Sequence, residues 1–159
     1  MDADVELQKT YEKRVTAARW ALLLTALFSA INLAWVVYEG TFAFVATAAI
    51  PELLTHIEII LYLQDAPLFA QILCVGAIVI LLLLYTLCGL ISKQRRGWLI
   101  TGGILFFVDY VVRLYFLYAD LLGGRDDLGL ILIRVLIPTA MLILLILGLN
   151  AYGKLKKKA

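Results

Sequence analysis

Asp109 and Arg113 stand four residues apart inside FFVDYVVRLYF, a stretch otherwise made of aliphatic side chains and aromatic rings. On a helix that spacing places both on one face, close enough for carboxylate and guanidinium to pair. Phe116, Asp120 and, two turns earlier, Gly102 fall on the same face, within about 60° at 100° per residue. A second polar stripe runs through Thr25, Ser29, Asn32 and Glu39, and a third charge, Arg134, sits one turn before Pro138. Because Pro138 cannot donate to the carbonyl of Arg134, a bend is expected beside that charge. An ionised side chain facing lipid at mid-depth costs at least about 2.5 to 3.5 kcal/mol, so these groups must turn inward. The expectation is a polar cluster of Asn32, Asp109, Arg113, Asp120 and Arg134, closed from above by Glu52, His56 or Glu58. One aspartate against two arginines leaves positive charge over, to be balanced by Asp120, a loop carboxylate or an anionic ligand.

Three chemistries fit such a cluster. It can be a charge network that fixes helix register, the reading the ready pairing of Asp109 and Arg113 favours. It can bind an anionic group at Arg113 and Arg134, as in a small transporter or channel, which would have to be oligomeric. It can act on lipid through Asp109 and His56. His56 with Glu52 one turn before it and Glu58 nearby offers metal-ligand types, yet a chain with one histidine is a poor candidate for a metal centre. No serine or cysteine has a base at its own depth. Phosphate-binding, dinucleotide and nucleic-acid signatures are missing from the sequence, so no cofactor, catalytic residue or nucleic-acid partner is expected. The chain reads as non-enzymatic, an accessory or interaction protein.

The elements that must carry these residues follow from composition. Hydrophobic residues make up 64% of the 159 and charged residues 16%, against roughly 45 to 50% apolar in soluble domains. Four runs are long enough to cross a bilayer as helices, at 20–38, 67–91, 98–121 and 128–152, within a membrane domain of 20–152. Strand alternation is absent from the sequence, so the fold class is all-α, a bundle of four transmembrane helices. A polar leader, 1–19, continues into the first span as helix. No cleavage-site pattern closes that run, which is expected to be a retained span rather than a signal peptide.

Between the first two spans lies a connection, 39–66, that does not read as a loop. PELLTHIEIILYL is helix-compatible and opened by Pro51, but too short to span, so 51–63 should lie on the membrane surface or dip into it. Eleven of the fourteen Lys and Arg residues fall before the first span, between the second and third, or after the fourth, whereas 39–65 has neither. Both termini are therefore expected in the cytoplasm and the connection outside the cell membrane. The tail 153–159 carries Lys154, Lys156, Lys157 and Lys158, a topology anchor that could also meet anionic lipid. Cys74 and Cys88 on one helix are too far apart for a disulfide.

The AR start of the first span and its IN near the far third, the FAF…IP run, LLLYTLCGLISKQRRGWLI, FFVD and the final GLNAYGKLKKK together resemble a family of small, uncharacterised four-span membrane proteins of Gram-positive bacteria of the Firmicutes. The resemblance covers nearly the whole chain. It implies a bacterial cytoplasmic membrane protein, with family-like positions at Asn32, Phe42, Phe44, Pro51, Trp98 and Asp109. Two departures stand out: the Phe42 to Pro51 spacing is longer than the family pattern, and a histidine expected in the fourth span is missing.

Overall fold

In a computed structural model of the protein, the structure describes residues 2–39, 47–122 and 128–155. Among them the chain forms α1 (Asp2–Glu39), α2 (Ala49–Leu63), α3 (Leu68–Ile91), α4 (Arg96–Leu122) and α5 (Leu128–Leu155). With neither proline nor glycine between Asp2 and Glu39, the polar leader and the first span form one helix of 38 residues. The stretches Val5–Val36, Leu68–Ile91, Arg96–Ala119 and Leu132–Leu155 are each long and apolar enough to cross a membrane. This is an all-α, multi-pass membrane protein with four long helices and a fifth, shorter one packed mainly against α3.

The bundle has two distinct ends. The α3–α4 connection lies at one, where Arg19, Lys93, Arg95 and Arg96 gather around Glu12 and Tyr152. Arg19 donates from Nε to the carbonyl of Gly89 (3.1 Å), satisfying an acceptor in the last turn of α3 that the helix itself leaves open. Lys154 places its Nζ 5.5 Å from the centre of the Tyr11 ring; Lys156, Lys157 and Lys158 lie outside the described residues.

The reversal from α2 into α3 marks the opposite end, the loop end. Ala66 N–H donates to the carbonyl of Leu61 (2.9 Å) and Asp65 N–H to that of Tyr62 (3.2 Å). This crossed pair of bonds closes a helix terminus when the next residue turns left-handed, a place usually held by glycine. Asp65 holds it in this chain, with φ of 50°, and Pro67 then starts α3 without needing an N–H.

Small residues set the closest approaches. α1 packs chiefly on α5, where a Cβ added at Gly148 would lie 2.3 Å from the Cβ of Ala18. At Gly102, on the polar face of α4, a Cβ would meet Leu22 at 2.6 Å and Cys88 at 2.9 Å, so the glycine admits α1 and α3 together. The core beneath contains Leu22, Tyr85, Cys88, Leu99, Phe106 and Leu145, while Phe69, Ile80, Ile104 and many other large apolar side chains face outward. That inversion suits a hydrocarbon solvent. Both cysteines are free thiols.

Candidate functional site

Helix α2 begins with Ala48 at its N-cap, a residue whose side chain cannot accept a hydrogen bond. The first backbone N–H groups of any helix lack partners inside it, and an apolar bundle offers none unless polar side chains are brought to them. In this bundle each is accounted for. Ala48 N–H donates to Ser29 Oγ of α1 (2.7 Å). Ala49 and Ile50 donate to the two oxygens of Asp109 on α4, at 2.7 Å to Oδ2 and 2.8 Å to Oδ1. Pro51 has no N–H, and Glu52 reaches back to the carbonyl of Ala48 (3.4 Å).

Asp109 lies midway along α4, between Arg96 and Leu122. The start of α2 is therefore held at half the depth of that helix. Its 15 residues then run about 22 Å back to the loop end, packed mainly against α3. Of the two placements expected for this segment, the structure has the one in which it enters the bundle. The helix also begins at Ala49, two positions before Pro51, because the Asp109 carboxylate supplies a ready-made cap for residues that could not cap themselves.

Arg113, one turn further along α4, takes the other side of the same junction. Its Nη2 donates to the carbonyl and to the Oγ1 (3.2 Å) of Thr47 and lies 3.5 Å from Glu52 Oε2. Thr47 Oγ1 in turn donates to that Glu52 oxygen at 3.2 Å. The direct Asp109–Arg113 pair expected from their spacing is not what forms. Each oxygen of the aspartate accepts from a backbone N–H group, and the arginine takes its carboxylate from α2. A helix N-terminus carries about half a positive charge, so it competes for a buried carboxylate without any side-chain entropy loss. Both groups are well buried, Asp109 at 3% exposure and Arg113 at 7%.

The remaining candidates divide. Asn32 is buried on the α1 face that also presents Thr25 and Ser29. Thr25 bonds back to the carbonyl of Ala21 (2.8 Å) and touches Met141 Sδ at 3.6 Å, linking α1 to α5. Arg134, half-buried on α5, lines a cavity of about 220 Å³ together with Glu52, Leu53 and His56 of α2 and Arg113, Phe116 and Leu117 of α4. Glu58 is not in this wall, since it lies two positions beyond His56 and so on nearly the opposite side of α2. The side chain of Asp120, like Phe42 and Phe44, lies outside the described residues. α5 continues as helix through Pro138, and Thr139 beside it accepts or donates a 2.8 Å bond with Tyr110 Oη of α4.

Sequence reasoning has Ser29 only as part of a stripe and misses Thr47 and the backbone of 48–50 as components of the site. The available signal is ATAAIPE, in which a proline and then an acid sit in the first turn of a short helix, a pattern typical of helix starts. Tyr85 is also missed. It is 1% exposed in the core, and its Oη is the one buried polar side-chain atom among the described residues without a hydrogen bond. No group of three or more metal-ligating side chains occurs among the described residues. Compared with known protein families, curated proteins and solved structures, the chain matches none.

Proposed function

We propose that this chain is a non-enzymatic protein of the cell membrane, an accessory or interaction module that presents α2 to a partner from the outer half of its bundle. One observation carries the reading: the carboxylate of Asp109 is committed to the N–H groups of Ala49 and Ile50, so the central charge holds an element in place. Each Asp109 oxygen accepts one bond from a helix start, which favours a holding role over one that binds and releases a passing ion or a reactant. Support for the orientation comes from the basic end of the bundle, where Lys93, Arg95 and Arg96 join Arg19, because lysine and arginine mark the cytoplasmic side. The loop end, with α2, then faces outward.

What α2 offers a partner is its exposed last turn, where Ile60, Tyr62 and Leu63 are uncovered. A photo-crosslinking residue in place of Tyr62, in native membranes, is expected to give a discrete protein adduct that the same residue at Leu136 on α5 does not give. Identical adduct patterns at the two positions would remove the support for an interaction surface on α2.

A further inference from the structure

The basic end of the bundle contains a groove that topology alone does not require. Orientation needs lysine and arginine on one side of the membrane, not around one space. Yet Arg19 of α1, Lys93 and Arg95 of the α3–α4 connection and Arg96 of α4 line a single groove of about 870 Å³, walled on α5 by Tyr152 and Leu155. Gly153 lets Arg96 settle against α5, since a Cβ there would lie 3.3 Å from its Nη2. Among the described residues Glu12 is the one acid in the wall, and it pairs with none of the four cations. The side chains of Lys93, Arg95 and Arg96 are exposed and make no ion pair or hydrogen bond among the described residues. Four cations against one carboxylate leave three positive charges over in the described wall.

We infer that this groove binds the headgroup of an anionic phospholipid carrying two phosphodiesters. Depth and charge each narrow the choice. Arg19 Nε is held 3.1 Å from the carbonyl of Gly89, in the last turn of α3. The floor of the groove is therefore level with the end of a membrane-crossing helix, where the phosphates of a bilayer lie. Glu12, seven residues before Arg19, stands about 10 Å further out along α1. The cations thus sit at phosphate depth and the acid beyond it. Trp20, exposed, and Trp98, half-buried, flank the same level, as interfacial aromatic residues do. Three surplus charges exceed what one phosphodiester neutralises, and separate guanidinium and ammonium groups can serve two phosphates at once. Basic pockets between membrane helices suit doubly charged headgroups for this reason.

Side chains carry the charge of the site, and the start of α4 adds to it. Trp98 N–H turns back to the carbonyl of Arg95 (3.2 Å), whereas the N–H groups of Arg96 and Gly97 donate to nothing among the described residues. A Cβ added at Gly97 would meet nothing within 4 Å, so that backbone is open to an oxygen from outside. The acyl chains of such a lipid also have a place to lie. Within about two turns of the groove cations, Leu87 and Leu90 of α3 and Ile100 and Ile104 of α4 are exposed toward the hydrocarbon. A soluble phosphate would gain nothing from that apolar surface.

The test uses the full chain in an uncharged detergent, with the melting temperature followed against cardiolipin, phosphatidylglycerol, phosphatidylcholine and pyrophosphate. Cardiolipin is expected to raise it saturably, with an apparent affinity about tenfold or more above that of phosphatidylglycerol, and phosphatidylcholine to leave it unchanged. Two variants locate the effect. The double variant Lys93→Gln, Arg95→Gln removes two cations that hold nothing else among the described residues, so it should melt like wild type without lipid. Its affinity for cardiolipin should fall about tenfold or more. The triple variant Lys156→Gln, Lys157→Gln, Lys158→Gln removes more charge from the tail and should keep the wild-type affinity. Equal effects of cardiolipin and phosphatidylcholine, or a loss in the tail variant as large as in the groove variant, would overturn the inference. Saturable stabilisation by pyrophosphate, lost in the groove variant, would also overturn the lipid and assign the groove to a soluble phosphate.

Discussion

Asp109 and Arg113, one turn apart on α4, grip the same backbone junction from opposite sides: the carboxylate takes the N–H groups of Ala49 and Ile50, and the guanidinium takes the carbonyl of Thr47. The two residues therefore act through the chain that enters between α1 and α4 rather than through each other. Their opposite charges match the two kinds of backbone group on offer there, donors at the start of a helix and an acceptor just before it.

Removing the carboxylate should be expensive. Hydrogen bonds to a charged group contribute about 1.5 to 3 kcal/mol each, and Asp109 accepts two from a buried helix start. Asp109→Ala is expected to lower the unfolding free energy by about 3 kcal/mol or more, and Asp109→Asn by roughly half of that because one amide oxygen can still accept. Unfolding by a denaturing detergent, followed by circular dichroism, measures both. Equal stability of Asp109→Ala and wild type would mean that the cap contributes nothing.

Much of this architecture is legible in the sequence. Four spans, a helical leader and inward-turned charges follow from hydropathy and from the cost of an ion in hydrocarbon, which depend on residue type alone. The partners of Asp109 are not legible, because a backbone N–H is present at every residue except proline and carries no sequence label. What distinguishes Ala49 and Ile50 is only where the chain brings them. Arg113 shows the same limit: its spacing from Asp109 permits a pair, but the carboxylate it meets, Glu52, belongs to a different helix. Glu58 illustrates the reverse, an acid close in sequence to His56 that helical geometry turns away from the cavity.

Tyr85 gives a prediction of opposite sign. Its buried Oη has no hydrogen bond among the described residues, and an unmet hydroxyl in an apolar core costs about 1 to 3 kcal/mol. Tyr85→Phe removes that penalty while keeping the ring in place against the core. The variant is expected to melt at a higher temperature than wild type, and a lower melting temperature would show that the hydroxyl has a partner in solution.

Transport is the main competing role for the mid-bundle charges, and flux separates it from a role in holding α2. Proteoliposomes containing the protein are expected to take up chloride or phosphate no faster than empty vesicles, since those charges are engaged with α2. An anion flux above that baseline, reduced by Arg113→Gln or Arg134→Gln, would favour a translocation site.

One carboxylate fastens the start of α2 inside the bundle, and amide hydrogen exchange reads that attachment at the atoms concerned. In wild type, the N–H groups of Ala48, Ala49 and Ile50 should exchange slowly, as held donors do. In Asp109→Ala, which leaves neither N–H an acceptor, exchange at 49 and 50 should quicken markedly while the amides of α5 keep their protection. Unchanged protection of Ala49 and Ile50 in the variant would contradict this role for Asp109.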